Sequence, residues 1–153
     1  MQNKLKDILK GKVVIVGIGN IIRGDDGFGP ALINKIKDET RAVCIDAGSA
    51  PENYIGKIIK EKPDTVLIID AVYLGRNPGE YEILEEEDIV KCGFTTHDIS
   101  PAMFMECLTK ETEADIYMFG VQPKTIELGS ELSLSLRQTL REVARLIRES
   151  FNA

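Results

Sequence analysis

The stretch KVVIVGIGNIIRGDDGFGP, from Lys12 to Pro30, decides how this chain folds. Its first part is a short apolar run rich in β-branched residues, which is typical of a strand buried on both faces of a sheet. Its second part is a glycine-rich loop with the adjacent acids Asp25 and Asp26, followed by a helical pattern that begins near Pro30. A strand, a tight loop and a helix in this order predict the first unit of an α/β fold.

Three further segments resemble that first strand in composition. They are RAVCID, TVLIID and DIYMFGV, at residues 41–46, 65–70 and 115–121, and helical patterns separate them. The segment from Glu80 to Ile83 instead alternates polar and apolar residues, which indicates a half-exposed strand near a sheet edge. We therefore predict a three-layer α/β/α sandwich with a mostly parallel central sheet and an edge strand.

The helical segments have start signals and apolar faces. Ser49-Ala-Pro-Glu52 matches a capping box, and Ser100-Pro101 matches an N-cap followed by proline at the first helical position. The predicted inner faces consist of Leu5, Ile8 and Leu9; Leu32, Ile33 and Ile36; Ile55, Ile58 and Ile59; Met103, Phe104, Cys107 and Leu108; and Leu136, Leu140, Val143, Ala144, Ile147 and Phe151.

Composition limits the possible classes of protein. The chain has 153 residues, of which 43% are hydrophobic, so we expect a single domain over residues 1–153. A net charge of -6 argues against nucleic acid or an anionic membrane as partner. No apolar run approaches the roughly 18 residues of a membrane helix, and the first twelve residues lack the apolar core of a secretory signal. Three cysteines without CxxC spacing argue against a disulfide framework or a zinc site. We expect a cytoplasmic monomer.

Ligands of parallel sheets bind beyond the carboxyl ends of the strands, so the residues that follow each strand are candidates for function. Asp26 follows the first strand, Asp46 ends the second and Asp70 ends the third, while His97 precedes a later helix. Carboxylates with an imidazole suit a divalent metal such as nickel. A carboxylate could equally act alone as a general base, and the residue pattern does not separate these two mechanisms.

Other interpretations of the same residues remain open at this stage. The loop resembles a dinucleotide fingerprint, but Ile22 stands where the third glycine belongs, and paired acids would repel a pyrophosphate. Cys92 and His97 could form a nucleophilic pair. Asp26 could merely cap a helix, Asp70 could end a strand, and His97 could be a surface or capping residue. We expect Asp25 and Asp46 to organise loops, and Asn20 to bond backbone in the tight turn.

Several motifs occur together along nearly the whole chain: GxGNxxxxDDGxG, then DAGSAPEN, IIDA, NPGE, TTH and FGVQP. In content and order, this set resembles the hydrogenase maturation proteases. These endopeptidases trim the C-terminus of the large subunit of nickel–iron hydrogenases. The similarity is greatest to the type that serves hydrogenase 3 of formate hydrogenlyase.

The resemblance implies an activity and roles for individual residues. The implied partner is the large-subunit precursor, whose own nickel serves as the recognition tag, so no resident cofactor is expected. Asp26, Asp70 and His97 match the family residues that engage this nickel, with Asp26 and Asp70 as catalytic acids. Many relatives carry Glu at the Asp26 position, whereas the hydrogenase 3 type shares Asp. The implied substrate-binding loop contains Gly19, Asn20, Asp25 and Gly27. The alternative is a non-catalytic nickel- or nucleotide-binding α/β module.

Overall fold

The computed structural model describes residues 1–89, the backbone of residues 93–94, and residues 99–151. Strands and helices alternate along this part of the chain except at residues 65–84, where two strands follow each other. The short 3₁₀ helices Gly24–Gly27 and Pro51–Tyr54 precede the second and third α-helices. The elements in chain order are α1 Gln2–Ile8, β1 Val13–Ile18, α2 Phe28–Ile36, β2 Val43–Gly48, α3 Ile55–Lys60, β3 Thr65–Tyr73, β4 Tyr81–Leu84, α4 Glu86–Ile89, β5 Gly93–Phe94, α5 Pro101–Glu111, β6 Asp115–Val121 and α6 Leu134–Ser150.

The central sheet has the strand order β2-β1-β3-β6-β4. The pairs β1–β2, β1–β3 and β3–β6 are parallel, whereas β4 pairs antiparallel with β6 at one edge. The short strand β5 pairs antiparallel with the end of β3. The prediction of a mostly parallel sheet with an edge strand at residues 80–83 is therefore confirmed.

Helices cover both faces of this sheet. On one face, Leu5 of α1, Phe28 of α2 and Leu136 of α6 belong to one buried apolar cluster. On the other face, Ile58 of α3 and Phe104 of α5 belong to a second cluster. Neighbouring residues of β3 alternate between the two clusters, as expected for a strand buried on both sides. These two cores confirm the predicted three-layer α/β/α sandwich.

The predicted amphipathic helices at the two ends of the described chain pack against each other. The side-chain amide of Gln2 donates hydrogen bonds to the Leu146 carbonyl and to Ser150 Oγ, at 2.9 and 2.8 Å. None of the helices in the described part of the chain combines the length and the apolar character that crossing a bilayer requires.

The capping box predicted at Ser49–Glu52 is wrong, whereas the cap predicted at Ser100 is confirmed. Pro51 disfavours a helical conformation at the preceding residue, so Ala50 is the N-cap of the 3₁₀ helix and Ser49 lies one position too early. Ser100 Oγ accepts a hydrogen bond from the Met103 amide at 3.1 Å, and Pro101 is the first residue of α5.

Two other expectations need correction. Strand β3 does not end at Asp70 but continues to Tyr73, because it pairs with β6 as far as Ala71 and with β5 at Val72 and Tyr73. Met103, predicted on the inner face of its helix, is 61% exposed in the first turn of α5. The buried positions of that helix are instead Phe104, Met105 and Leu108.

Helix α2 begins in close contact with the end of β1 and the middle of β3. A Cβ placed on Gly29 would lie against the Ile18 carbonyl oxygen and 2.6 Å from the Ile69 carbonyl oxygen. A Cβ placed on Gly17 would lie 2.5 Å from the Gly29 carbonyl oxygen. These obstacles are backbone atoms, which cannot rotate away. Both positions therefore require glycine if the helix is to lie this close to β1 and β3.

We predict opposite effects of alanine at two helical glycines. Gly29→Ala should lower the free energy of unfolding by about 1–3 kcal/mol because the added methyl group overpacks the strand–helix contact. Gly56→Ala in α3 meets no atom within 4 Å and should raise that free energy by about 0.5–1 kcal/mol through helix propensity. Urea denaturation of both variants measures the difference. Equal stability of the two would contradict the close approach of α2.

Candidate functional site

The order of the strands reverses between β1 and β3. From β1 the chain forms β2 on one side, and it then crosses to the other side of β1 to form β3. In open α/β sheets, the crevice beyond the carboxyl ends of the strands at such a reversal is the usual ligand-binding position. The loop after β1 and the second half of β3, which contain Asp26 and Asp70 respectively, lie at this crevice.

Asp26 lies in the 3₁₀ helix Gly24–Gly27, which contacts β3. Its side chain is fully buried, and its Oδ2 accepts a hydrogen bond from the Asn20 amide at 3.0 Å. The residue is not the N-cap of α2, which is Gly27, so a simple helix-capping role does not account for its position. The bond to Asn20 closes the loop on itself and orients the carboxylate.

Asp70 is also fully buried, within β3 at the register of Gly120 in β6. One of its carboxylate oxygens accepts a hydrogen bond from the amide of Ala71 at 2.8 Å. Because side chains alternate along a strand, Asp70 shares the sheet face of Ile68 and Val72, which is the face covered by α3 and α5. A fully buried carboxylate beside this crevice is a candidate for function.

Asp25 is a structural anchor. Its buried carboxylate accepts hydrogen bonds from the amides of Lys124, Thr125 and Ser133, at 2.8, 3.3 and 2.7 Å, and from Ser133 Oγ at 2.9 Å. Its own amide donates to the Thr125 carbonyl at 2.9 Å. These bonds fasten the loop after β1 to the segment between β6 and α6. The expectation that Asp25 organises a loop is confirmed.

Asn20, Gly19 and Gly27 shape the turn around Asp26. Asn20 Oδ1 accepts a hydrogen bond from the Ile22 amide at 3.1 Å, as expected for an asparagine that bonds backbone. Gly19 has a φ of +149°, and a Cβ on it would collide with the Asp26 carbonyl oxygen. A Cβ on Gly27 would lie 3.0 Å from the Ile21 Cα. The two glycines therefore allow the loop to pack tightly on itself.

Asp46 has the loop-organising role expected for it. The residue is exposed in β2, and its Oδ1 accepts a hydrogen bond from the Gly48 amide at 3.0 Å.

Cys44, in the same strand, is half-buried. Desolvation by burial, followed by the negative charge of Asp38, raises the pKa of the Cys44 thiol to about 11. This thiol is therefore protonated at neutral pH and is unsuited to nucleophilic attack.

His97 and Cys92 lie outside the described residues. Within residues 1–89 and 99–151, no three His, Cys, Asp or Glu side chains are grouped as a metal site would require. In sequence, His97 precedes the N-cap of α5 by three residues, and α5 covers the sheet face that Asp70 shares. The described part of the site thus supplies two buried carboxylates, which are donors that suit a divalent metal.

Two anchoring residues were missed by the sequence reasoning. Ser133 donates two hydrogen bonds to Asp25 across more than a hundred residues of sequence. Gln122, after β6, is nearly buried; its Oε1 accepts from the Leu74 amide at 2.6 Å, and its carbonyl accepts from the Gly79 amide at 2.9 Å. The sequence did contain a signal for Gln122, because it is a polar residue directly after a buried strand, at the edge of the sheet where ligands bind.

Known proteins resemble this chain in sequence and in fold. Residues 29–150 match the family model HycI, described as hydrogenase maturation protease. The chain is 36% identical over 132 residues to the hydrogenase 3 maturation protease of Escherichia coli K12, with 85% of each protein covered. It is 32% identical over 165 residues to a putative hydrogenase maturation protease of Methanocaldococcus jannaschii, with 97% of each covered.

Solved structures agree with these relatives. The crystal structure of a hydrogenase maturation protease HycI from Thermococcus kodakarensis has a TM-score of 0.89 and 31% identity, covering 98% of this chain and 99% of that one. The solution structure of the endopeptidase HycI from Escherichia coli has a TM-score of 0.82 and 31% identity, covering 91% and 90%. The resemblance inferred from the motifs is confirmed, and this chain belongs to the hydrogenase maturation proteases of the HycI type, a family of endopeptidases.

Proposed function

We propose that this chain removes a C-terminal peptide from the nickel-loaded precursor of a hydrogenase large subunit, acting as a cytoplasmic, single-domain monomer. The observation that carries the proposal is the burial of two carboxylates, Asp26 and Asp70, at the reversal of strand order in a fold shared with HycI endopeptidases. The family supplies the class of reaction, and the position of these acids indicates where the scissile amide binds.

Asp26 and Asp70 are the proposed catalytic acids. One carboxylate accepts a proton from water, the water oxygen adds to the scissile carbonyl carbon, and the C–N bond then breaks as the same proton passes to the departing amine. Anchoring of the loop by Asp25 and the bond from Asn20 to Asp26 hold the acid in place before the substrate arrives. Such preorganisation is what general acid–base catalysis requires.

The same two acids are the proposed contacts for the nickel of the precursor, together with His97. Two carboxylates and an imidazole form a mixed oxygen and nitrogen donor set that nickel accepts. Because the ion arrives with the substrate, it would draw the precursor to these acids only after metal insertion. Gly19, Asn20, Asp25 and Gly27 form the proposed substrate-binding loop around Asp26, with Asp25 contributing through the scaffold.

The first prediction from this proposed function concerns Asp70. Asp70→Asn should reduce cleavage of the nickel-loaded precursor by about 10²–10⁴-fold, because the amide cannot accept a proton from water. The measurement is intact mass of the large subunit after incubation with wild type or variant, with and without nickel. We expect a single cut by wild type, and only with nickel.

Asp46→Asn is the matched control for this experiment, since Asp46 is an exposed acid on β2, which β1 separates from β3. It should cleave as wild type does. Thermal unfolding of Asp70→Asn establishes that the fold survives. Wild-type rates in a folded Asp70→Asn variant, or tight binding of a nucleotide to the wild type, would contradict the proposed function.

The second prediction tests the cysteine alternative. If Cys92 were the nucleophile, Cys92→Ser would abolish cleavage of the same nickel-loaded precursor. We expect full activity instead, because the proposed mechanism uses carboxylates alone for proton transfer. Single-turnover cleavage rates of Cys92→Ser and wild type provide the comparison, and loss of activity in a folded Cys92→Ser variant would favour the thiol mechanism.

The third prediction concerns the anchor at Asp25. Asp25→Asn should lower the free energy of unfolding by about 1.5–3 kcal/mol, because charge-assisted hydrogen bonds weaken and the new amide donors face existing donors. Urea denaturation measures the loss. Asp46→Asn should change stability by less than about 0.5 kcal/mol, since Asp46 is exposed. Equal effects at the two positions would show that Asp25 does not anchor the loop.

A further inference from the structure

Exposed apolar residues lie on the loop that contains Asp26 and on the segment between β6 and α6 that is bonded to this loop. Ile21, Ile22 and Leu128 are 71%, 56% and 65% exposed, and we call these three residues the apolar patch. Exposed apolar residues scattered singly over a surface are ordinary, whereas a group of them in one place is typical of an interaction site. The patch is therefore a candidate for contact with another molecule.

Backbone hydrogen bonds bring the members of the patch together. The Gly129 amide donates to the Ile22 carbonyl at 2.7 Å, so Leu128 lies next to the residue that is bonded to Ile22. The Gly24 amide also donates to the Ser130 carbonyl, at 3.0 Å, so a second backbone hydrogen bond joins the same two segments. Because backbone groups make these bonds, side-chain substitutions within the patch leave the connection intact.

The patch begins next to the candidate catalytic acid. The Cα of Ile21 is 3.0 Å from the position of a Cβ built on Gly27, the residue that follows Asp26. The Asn20 amide, one residue before Ile21, donates to the Asp26 carboxylate. An extended peptide advances about 3.3–3.6 Å per residue, so residues within two or three positions of an amide held at Asp26 would reach the patch.

We propose that the apolar patch binds the precursor through apolar residues that flank the scissile bond. This inference rests on the proposed function, because that function places an extended chain at Asp26. Ile21, Ile22 and Leu128 offer no charge and no side-chain hydrogen-bond donor, so the matching segment of the precursor is apolar. Its contact would hold the peptide on one side of the cut.

The experiment uses the double variant Ile21→Ser/Ile22→Ser and the single variant Leu128→Ser. The probe is the nickel-loaded large-subunit precursor from the same source. Its Kd is measured with each patch variant combined with Asp70→Asn, and its KM and kcat are measured with Asp70 intact. For the double variant we expect Kd and KM to rise at least about tenfold, equivalent to about 1.4 kcal/mol, while kcat changes by less than about twofold.

Met103→Ser is the matched control. Met103 is 61% exposed on α5, which covers the opposite face of the sheet from α2 and α6. It offers the same kind of exposed apolar side chain away from the patch. Its replacement should leave Kd, KM and kcat unchanged. A tenfold effect of Met103→Ser would mean that any exposed apolar side chain matters and would overturn the specific assignment.

The outcomes separate this inference from the proposed function. If wild type cleaves and the double variant keeps wild-type Kd and KM, the patch assignment is wrong and the protease assignment stands. If wild type fails to cleave, the proposed function fails, and the Kd comparison still decides whether the patch binds the precursor. Sedimentation velocity provides the last outcome: a wild-type dimer that the double variant dissociates would make the patch a contact between copies and overturn the inference.

Discussion

The carboxylate of Asp25 accepts hydrogen bonds from three backbone amides and one hydroxyl, and all of these donors come from the segment between β6 and α6. This carboxylate is fully buried, and the donors compensate for the hydration that it loses on burial. The loop after β1 is thereby fastened to a distant part of the chain. The position of Asp26, the next residue, depends on this attachment.

Close packing of α2 is the second condition for the site. Gly29 and Gly17 let the helix begin directly against the end of β1 and the middle of β3. A greater distance between α2 and these strands would move the 3₁₀ helix that contains Asp26 away from β3, where Asp70 lies. Glycines and acids of the DDGFG segment thus have complementary functions, since the glycines bring the backbone close, Asp25 anchors the loop and Asp26 lies beside β3.

Local composition was sufficient to predict the sheet, because strands buried on both faces are continuously apolar and the edge strand alternates. A different rule, that ligands bind beyond the carboxyl ends of parallel strands, predicted that Asp26 and Asp70 share one rim. The anchoring by Ser133 could not be predicted, since a side chain that bonds a carboxylate from a remote loop leaves no periodic signal in the sequence. The capping box failed because the conformational effect of Pro51 outweighed a matching residue spacing.

The structure also explains why a glycine-rich loop after a first strand need not bind a phosphate. Phosphate-binding loops of this kind present free backbone amides to the ligand. In this loop the amides are used internally: that of Asn20 bonds Asp26, that of Ile22 bonds the Asn20 side chain, and that of Arg23 bonds the Asn20 carbonyl. Those of Gly24 and Asp25 bond the segment before α6. These amides are therefore bonded within the protein and, unlike those of a phosphate-binding loop, are not available to an anion.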